Sequence, residues 1–563
     1  MMNYGSNWRA PKVDVHAFSM VPRADIPRSS FRMQFQHKST FSASNLIPMF
    51  CQEVLPGDSW AVNLTAFCRL ATPLYPIMDN MDLESWFFFV PNRLTWINWY
   101  RFMGEQENPS DSISFSIPQV VSPVGGFAQF SLYDYFGLPC VGQVAGGNTV
   151  SVSALPFRAY QVIWNQWFRD QNLQNGAVYG SLGSTGIQNM DNGPDPSANY
   201  ILRQVNKRHD YFTAALPWTQ KGAAAVTLPL GTSATVRTNA SDLITGAQGP
   251  MRMRQQTSGT LPTAGHAMGF SGATGQVWET TGPVPGSNVD ALYPANLYAD
   301  LSTATAATIN AIRLAFQTQR LLERDARGGT RYTEIIRSHF GVMSPDMRLQ
   351  RPEYLGGGKT PVNIAPVPQT TATGLTGGAT PLGTLSGVGT SLARGHGFRQ
   401  SFTEHGYIIG LCAVRQDQGY QQGIPRHWSR LTRYDFYFPV FSMLGEKAVY
   451  NREIYADGSA NDGLVFGFQE NWAEYRYLPS YTSGYFRSTT TTPIDAWHLQ
   501  VKFASLPVLN GAFMEDNTTT NLQRALAAGA AAGNQQLLAD LFFDCRVARP
   551  MPVYSVPGMV DHF

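Results

Sequence analysis

The sequence has few charged residues for its length. Lys, Arg, Asp and Glu make up 14% of its 563 residues, against about 25% in an average globular protein. A soluble monomer normally covers its surface with charge, so this deficit predicts that much of the surface is buried against neighbouring molecules. The formal net charge of +2 gives no indication of a polyanion-binding surface over the whole chain.

Cysteine pairs and long apolar runs are also missing. The chain has five cysteines, and none of their spacings is that of a metal or redox motif, so we expect reduced core residues in a protein that folds inside the cell. The first residues, MMNYGSNWRAPK, contain no apolar segment, so we expect no secretion signal. The most apolar runs, Trp86–Val90 and Ala525–Ala532, are far shorter than the roughly 20 residues needed to span a bilayer, so no membrane insertion is expected.

The sequence contains no convincing catalytic, cofactor or metal motif. Gly356-Gly357-Gly358-Lys359-Thr360 lacks the earlier glycine of a phosphate-binding loop, because Glu353 occupies that position. This segment is interpreted as a flexible loop. The acidic turn Asp457–Asp462 and the dispersed histidines are interpreted as ordinary surface or core residues. We therefore expect no enzyme activity, no cofactor and no metal site.

Periodic patterns predict strands near both ends of the chain. Trp60, Val62 and Leu64 alternate with polar residues over Ser59–Leu70, and Leu83–Val90 is rich in aromatics. Further strands are predicted over His405–Val414, Tyr434–Phe441, Gly463–Gln469, Ala473–Leu478 and Ala496–Phe503. Pairing of early with late strands predicts one antiparallel β-sandwich.

Helices are predicted between the two groups of strands. The apolar spacing favours helices over Leu94–Gly104, residues 155–171, residues 302–324 and Thr330–Phe340. Ser302 or Thr303 is a candidate N-cap of the third of these helices, and Gly341 is the expected end of the fourth.

Two long stretches are rich in Gly, Thr, Ser and Ala. Residues 222–299 contain only six charged residues, which is unlike solvated disorder, so an ordered and largely β insertion is predicted. Residues 356–400 are predicted to form a Gly/Thr-rich loop.

The first 45 residues hold six basic residues against two acidic ones, and their prolines disfavour helix. This composition predicts an extended arm. Its basic residues, interleaved with aromatics, are candidates for neutralising phosphates and contacting nucleic acid. The alternative is an arm that only bridges subunits. The nucleic-acid candidates are Arg9, Lys12, Arg23, Arg28 and Lys38.

Many short strings, in one order, resemble the major capsid protein of microviruses, in the gokushovirus branch of small single-stranded DNA bacteriophages. They cover most of the chain outside the charge-poor stretches. Among them are FFFVPNRLTWINWYRFMGE (87–105), LPFRAYQVIWNQWFRDQNLQ (155–174), INAIRLAFQTQRLLERDARGGTRYTEIIRSHFGV (309–342), RHWSRLTRYDFYFP (426–439) and FDCRVARPMPVYSVPGMVDHF (543–563).

The resemblance implies an eight-stranded antiparallel jelly roll, a viral β-sandwich with long helix-containing insertions. It implies a structural protein whose copies assemble into a T = 1 icosahedral shell around circular single-stranded DNA. The expected location is the virion, with assembly in the cytoplasm of a bacterial host. The other implied partners are a small basic DNA-binding protein, a minor pilot protein, a scaffolding protein and a host surface receptor, for which a glycan is one candidate.

The insertion at 222–299 matches no family string and corresponds to the family's variable segment. The resemblance implies that it protrudes at the three-fold axes and meets the host surface. Its candidates for host contact are Phe270, Trp278 and Tyr293. The competing hypothesis for the whole chain is a β-sandwich protein that binds or cleaves glycans, which leaves the matching strings unexplained.

Together these patterns divide the chain into six parts. They are the arm (1–45), the first part of the jelly roll with helical insertions (46–221), the variable insertion (222–299), a helical segment (300–355), the Gly/Thr-rich loop (356–400) and the remaining strands with a C-terminal tail (401–563).

Overall fold

The computed structural model describes residues 27–180, 190–222, 235–238, 251, 253–255, 267–270, 277–280, 288–300, 309–342, 350–370, 383–527 and 535–554. The chain forms two compact units. One combines Met1–Thr219 with Gly328–Phe563, and the other is Gln220–Arg327. Among the described residues, no helix combines the length and the apolar character needed to cross a bilayer.

The described strands, numbered along the chain, are β1 Ser29–Phe41, β2 Ile47–Val54, β3 Ser59–Leu70, β4 Met81–Pro91, β5 Gln119–Val121, β6 Ser151–Ser153, β7 Thr235–Thr238, β8 Met253–Gln255, β9 Ala267–Phe270, β10 Val277–Thr280, β11 Asn288–Pro294, β12 Leu297–Asp300, β13 Glu353–Pro361, β14 Asn363–Pro368, β15 Leu385–Ser401, β16 Gly406–Gln416, β17 Glu446–Tyr450, β18 Val465–Glu470 and β19 Leu537–Arg549. The described α-helices are α1 Trp99–Phe102, α2 Leu132–Tyr135, α3 Leu155–Ile163, α4 Ile309–Arg327, α5 Tyr332–Phe340, α6 Asn451–Ile454, α7 Gly511–Met514 and α8 Thr518–Gln523.

The first unit contains two large antiparallel sheets, ordered β1-β19-β3-β15-β14 and β13-β4-β16-β2, besides the small sheets β17-β18 and β5-β6. Without β14, eight strands remain in the two large sheets. Numbered along the chain, they read 1-8-3-6 in one sheet and 2-7-4-5 in the other, which is the strand order of a jelly roll. The first strand pairs with the last over its whole length, from Ser29–Arg549 to Phe41–Leu537. The predicted antiparallel β-sandwich, with early strands paired to late ones, is confirmed.

The two sheets differ in what covers their outer faces. Between the sheets, one core buries Trp60, Phe87, Ile408 and Phe543. A second core forms where the aromatic stripe of α3 packs on the other face of β4 and β16. Strand β4 is therefore almost wholly buried. Strand β3 keeps the alternation of buried and exposed residues that its sequence predicts, so the five-stranded sheet exposes its outer face.

Several predicted elements are confirmed. Strand β3 has the predicted bounds, β4, β16 and β18 lie within a few residues of theirs, and α3 continues as a π-helical turn over Trp164–Phe168. Helix α5 ends at Phe340 and is capped by the predicted Gly341, whose φ of 70° suits a residue without a side chain. Helix α4 begins its described part at Ile309, so the proposed caps Ser302 and Thr303 lie outside the described residues.

Three predicted strands are wrong. Tyr434–Phe441 contains two 3₁₀ turns, Ala473–Arg476 is another, and Ala496–Phe503 has only one isolated bridge, at Val501. These segments alternate aromatic and polar residues as strands do, but none of the strands that the structure describes pairs with them. The alternation within one segment does not reveal whether a neighbouring strand is available to pair with it.

The predicted loops at 356–360 and 356–400 are also wrong, because their described residues lie largely in β13, β14 and β15. The glycines are required by close packing between strands. A Cβ on Gly357 would collide with the backbone of Ser85 in β4, and one on Gly358 would collide with the ring of His396 in β15. Residues 371–382 lie outside the described residues.

The predicted arm and insertion are described only in part. Residues 29–41 of the arm form β1, so this portion belongs to the sandwich and is no free arm, and residues 1–26 lie outside the described residues. In the insertion, the described segments include strands β7 to β12. The compact unit Gln220–Arg327 contains the insertion and α4.

Candidate assembly surface

The nucleic-acid candidates from the sequence fall into two groups. Arg9, Lys12 and Arg23 lie outside the described residues. Arg28 and Lys38 are both exposed, the first just before β1 and the second within it. They lie on a surface that we call the basic sheet face, the exposed outer face of the five-stranded sheet. Its basic residues are Arg28, Arg32, Lys38, Arg69, Arg394, Arg399 and Arg546.

The three host-contact candidates lie on neighbouring strands of one sheet in the second unit, ordered β8-β11-β10-β9. Phe270 pairs with Val277, and Trp278 pairs with Ala291. The side chains of Phe270 and Trp278 lie outside what the structure describes. The Tyr293 side chain is exposed.

A dense group of exposed apolar side chains was not predicted from the sequence. It is formed by residues 428–444 and 472–478, and we call it the assembly patch. Six of its side chains are between 71% and 95% exposed, namely Trp428, Leu431, Tyr434, Val440, Met443 and Leu478. Phe436, Tyr437, Leu444 and Tyr475 add further exposed apolar surface.

The backbone of the assembly patch is held by specific hydrogen bonds. The Asp435 carboxylate accepts from the amides of Leu431 and Thr432, at 3.0 and 2.7 Å. The bonds from the Thr432 and Leu431 amides lower the pKa of Asp435 to about 2. The two segments are joined where the Trp472 indole donates to the Phe441 carbonyl at 3.0 Å. The exposed side chains are therefore presented on an ordered support.

Arginine and aromatic side chains interleave at the base of this patch. The Arg430 guanidinium lies 4.4 Å from the Tyr475 ring centre, and Lys447 lies 4.4 Å from that of Trp472. Glu474 is only 9% exposed and lies within 3.8–3.9 Å of Arg426, Arg430 and Lys447. One buried carboxylate thus organises three cations beneath the exposed surface.

A second charged cluster ties the loop before residue 222 to the four-stranded sheet. Arg208 bonds Asp82 at 2.9 Å and Glu84 at 2.6 Å, both on β4, and also pairs with Asp417. Arg415 of β16 binds the other oxygen of Glu84. These carboxylates are already engaged by cations. Among the described residues, no group of three or more His, Cys, Asp or Glu side chains is arranged to hold a metal ion.

A family model described as capsid protein (F protein) matches residues 19–559. The chain belongs to this capsid protein family. The resemblance to gokushovirus capsid proteins noted in the sequence is confirmed.

Individual relatives agree over nearly the whole length. The chain is 44% identical to capsid protein VP1 of Bdellovibrio phage phiMH2K, covering 97% of this chain and 98% of the relative. It is 39% identical to VP1 of Chlamydia phage 1, covering 98% and 99%. For VP1 of Spiroplasma virus 4 the identity is 37%, covering 97% and 98%.

The family membership settles the general role. This is a structural protein of the virion shell and not an enzyme. The shell role takes precedence over the hypothesis of a glycan-binding or glycan-cleaving sandwich. The strings that carried the resemblance include RHWSRLTRYDFYFP (426–439), which overlaps the assembly patch. Its dense mixture of Arg, Tyr and Phe was the available signal for an interface, and the prediction of a strand obscured it.

Proposed function

We propose that this capsid protein assembles into a closed T = 1 icosahedral shell around circular single-stranded DNA, and that the assembly patch binds a second copy of the chain. The observation that supports this proposal is the group of exposed apolar side chains in the assembly patch. Membership of a capsid protein family supports another copy as its occupant. A closed lattice requires each copy to bury surface against several neighbours.

The area of the assembly patch fits this role. A large aromatic side chain carries roughly 150–250 Å² of surface, and an aliphatic one about 60–120 Å², from its burial energy at 25 cal/mol per Å². With their exposed fractions, the ten exposed side chains of the patch together present on the order of 1,000 Å². The largest apolar patch of a typical monomer is about 300–600 Å². One side of an ordinary protein interface buries about 800 Å². The patch is too large for a typical monomer and large enough for a specific interface.

The chemistry of the patch also favours a protein occupant. Arg, Tyr, Trp and Met are enriched in interface cores, and Lys and Glu are depleted. Leu431, Met443 and Leu478 offer no polar group to a nucleic acid or a sugar. A copy of the same chain, which has few charges of its own, supplies the apolar surface that these side chains need.

Other partners follow from the resemblance to gokushovirus capsid proteins. The shell encloses the DNA together with a small basic DNA-binding protein, carries a minor pilot protein, and assembles with a scaffolding protein in the host cytoplasm. The near-neutral net charge of +2 supports a separate basic protein for most of the charge neutralisation.

Host attachment is assigned to the insertion at 222–299, through Phe270, Trp278 and Tyr293. Two observations support this assignment. The insertion belongs to its own compact unit, and Tyr293 is exposed. The receptor is a host surface molecule, and a glycan receptor is compatible with an exposed tyrosine.

The test of assembly replaces Leu431 and Leu478 by serine in the full-length protein. Each leucine that becomes buried contributes roughly 1.5–3 kcal/mol per contact, and the contact repeats throughout the lattice. We expect at least a tenfold lower yield of particles by sedimentation, with an unchanged melting temperature of the unassembled protein. The matched control replaces Ile97 and Val124, exposed apolar residues outside the patch, by serine. Equal particle yields from the two double variants would contradict the proposal.

A further inference from the structure

The outer face of the five-stranded sheet is exposed and predominantly basic. Its inward residues fill the core between the sheets, as Val62, Leu64 and Phe543 show. Within the part of the chain that the structure describes, no helix lies over its outward residues, whereas α3 covers those of the four-stranded sheet. All seven basic residues of the basic sheet face are exposed. An antiparallel sheet commonly exposes one polar face to solvent, but the excess of positive charge on this face favours an anionic ligand.

Strand register brings three arginines into one row across this sheet. Arg32 of β1 pairs with Arg546 of β19. Arg546 pairs with Ala61 of β3, and Ala61 pairs with Arg399 of β15. Like charges directly opposite each other in a sheet are destabilising. A row of this kind therefore gains stability when a polyanion crosses it.

The charge of this face is only partly compensated by its own acids. Asp544 takes both hydrogen bonds of the Arg32 guanidinium, each at 2.9 Å. Asp540 is the other acidic residue on the outward side of β1 and β19 and lies opposite Lys38. Arg69, Arg394, Arg399 and Arg546 form no ion pair with any residue that the structure describes. Seven cations thus face two carboxylates.

Apolar side chains lie among the cations. Phe67 of β3 is 45% exposed. It pairs with Leu392 of β15 on one side and with Asp540 of β19 on the other, and Asp540 pairs in turn with Lys38 of β1. Leu538 occupies the next row, beside Arg69. Aromatic side chains between cations form the usual surface for unpaired bases, because any base can stack on a ring while its phosphate meets a cation.

We propose that the basic sheet face binds single-stranded DNA through its phosphates and stacks a base on Phe67. This inference rests on the proposed function, in which the shell encloses such DNA, and adds Arg32, Arg69, Arg394, Arg399 and Arg546 to the sequence-based candidates Arg28 and Lys38. The rows from Ala61 to Arg69 span about 27 Å along the strands, long enough for several nucleotides. The exposed ring favours a polynucleotide over an acidic protein segment.

The test replaces Arg69, Arg399 and Arg546 together by glutamine. None of the three has an ion pair in the described structure, so folding should be preserved. The control variant, with Arg101, Arg487 and Lys502 replaced by glutamine, changes the net charge equally at positions outside both the basic sheet face and the assembly patch. Binding of a fluorescent oligothymidylate to unassembled full-length protein is measured against salt concentration. Each phosphate contact contributes about 0.7 to the slope of log K against log salt, so the face variant should lose about 2.

The second measurement is the DNA content of purified particles. We expect the face variant to form shells in normal yield that retain less DNA than the control shells. Equal slopes and equal DNA contents for the two variants would overturn the proposal. Polyglutamate serves as the probe for an acidic protein segment. A face variant that loses binding to polyglutamate while its binding to oligothymidylate is unchanged would also overturn the proposal. Failure of the unaltered protein to form shells would instead contradict the proposed function, since oligonucleotide binding is measured without assembly.

Discussion

Arg158 and Asp195 form an ion pair in which both side chains are fully buried, with Nη2 of the arginine 2.6 Å from Oδ1 of the aspartate. Arg158 lies on α3, and it also donates to the backbone carbonyls of Thr95 and Asp191, at 3.0 and 2.8 Å. The Tyr200 hydroxyl donates to Asp195 as well. The pair therefore fixes the segment around residues 191–200 against the helix that covers the four-stranded sheet.

Removing one member of this pair should destabilise the protein severely. Asp195→Ala removes the fully buried carboxylate and leaves Arg158 only the partly exposed Asp191, at 3.0 Å. Breaking a buried ion pair in this way typically costs about 3–5 kcal/mol. The measurement is the free energy of unfolding of unassembled protein in urea. Glu470→Ala is the matched control, because it removes an ion pair of the same 2.6 Å length to Arg476, whose side chain is 63% exposed. Such exposed pairs contribute about 0–1 kcal/mol, and equal losses would contradict the assigned role.

Gly357→Ala should separate β13 from β4. A Cβ at this position would lie 2.9 Å from the carbonyl carbon of Ser85 and closer still to its oxygen. Overpacking of this kind costs about 1–3 kcal/mol or more, because backbone rather than a mobile side chain must move. Gly146→Ala is the control, since nothing lies within 4 Å of its added Cβ. The melting temperatures of the two variants check this, and a Gly357→Ala protein as stable as the control would refute it.

The role of Gly357 could not be predicted from the sequence. The alternation of Trp60, Val62 and Leu64 and the aromatic stripe of α3 are local patterns, so β3 and α3 follow from the sequence. Gly357 is required by a strand some 270 residues earlier in the chain, at Ser85. No sequence pattern near Gly357 indicates that Ser85 packs against it. A glycine-rich strand therefore resembles a loop until its partners are known.

His396 should make stability fall in mild acid. Its ring is buried between the strands, with Nδ1 2.8 Å from Ser85 Oγ and Nε2 2.9 Å from Thr360 Oγ1. Burial lowers the pKa of His396 below its usual 6.5. The unfolded chain then binds more protons once the pH falls below about 6.5, so stability is full above that pH and declines below it.

The measurement is the urea midpoint of unassembled protein between pH 7.5 and 5, compared with that of His396→Gln. Each unit by which the pKa is lowered contributes about 1.4 kcal/mol. The natural protein should lose more stability than the variant over this range. Parallel curves for the two proteins would show that His396 does not carry the effect.

The candidate surfaces were only partly visible in the sequence. Arg28 and Lys38 were found because basic residues cluster near the start of the chain. Arg399 and Arg546 were missed, since strand pairing alone brings them beside Arg32. The assembly patch was missed for a different reason. Its alternating aromatic residues have the pattern of a strand, while the hydrogen bonds of Asp435 and Trp472 hold them in turns.

The central claim is a closed shell whose subunits meet through the assembly patch. It is tested most directly by an icosahedral reconstruction, by electron cryo-microscopy, of particles formed by this protein. We predict T = 1 particles in which Trp428, Leu431, Met443 and Leu478 are buried against a neighbouring copy. Particles that leave these four side chains exposed to solvent, or a lattice of another symmetry, would contradict the account.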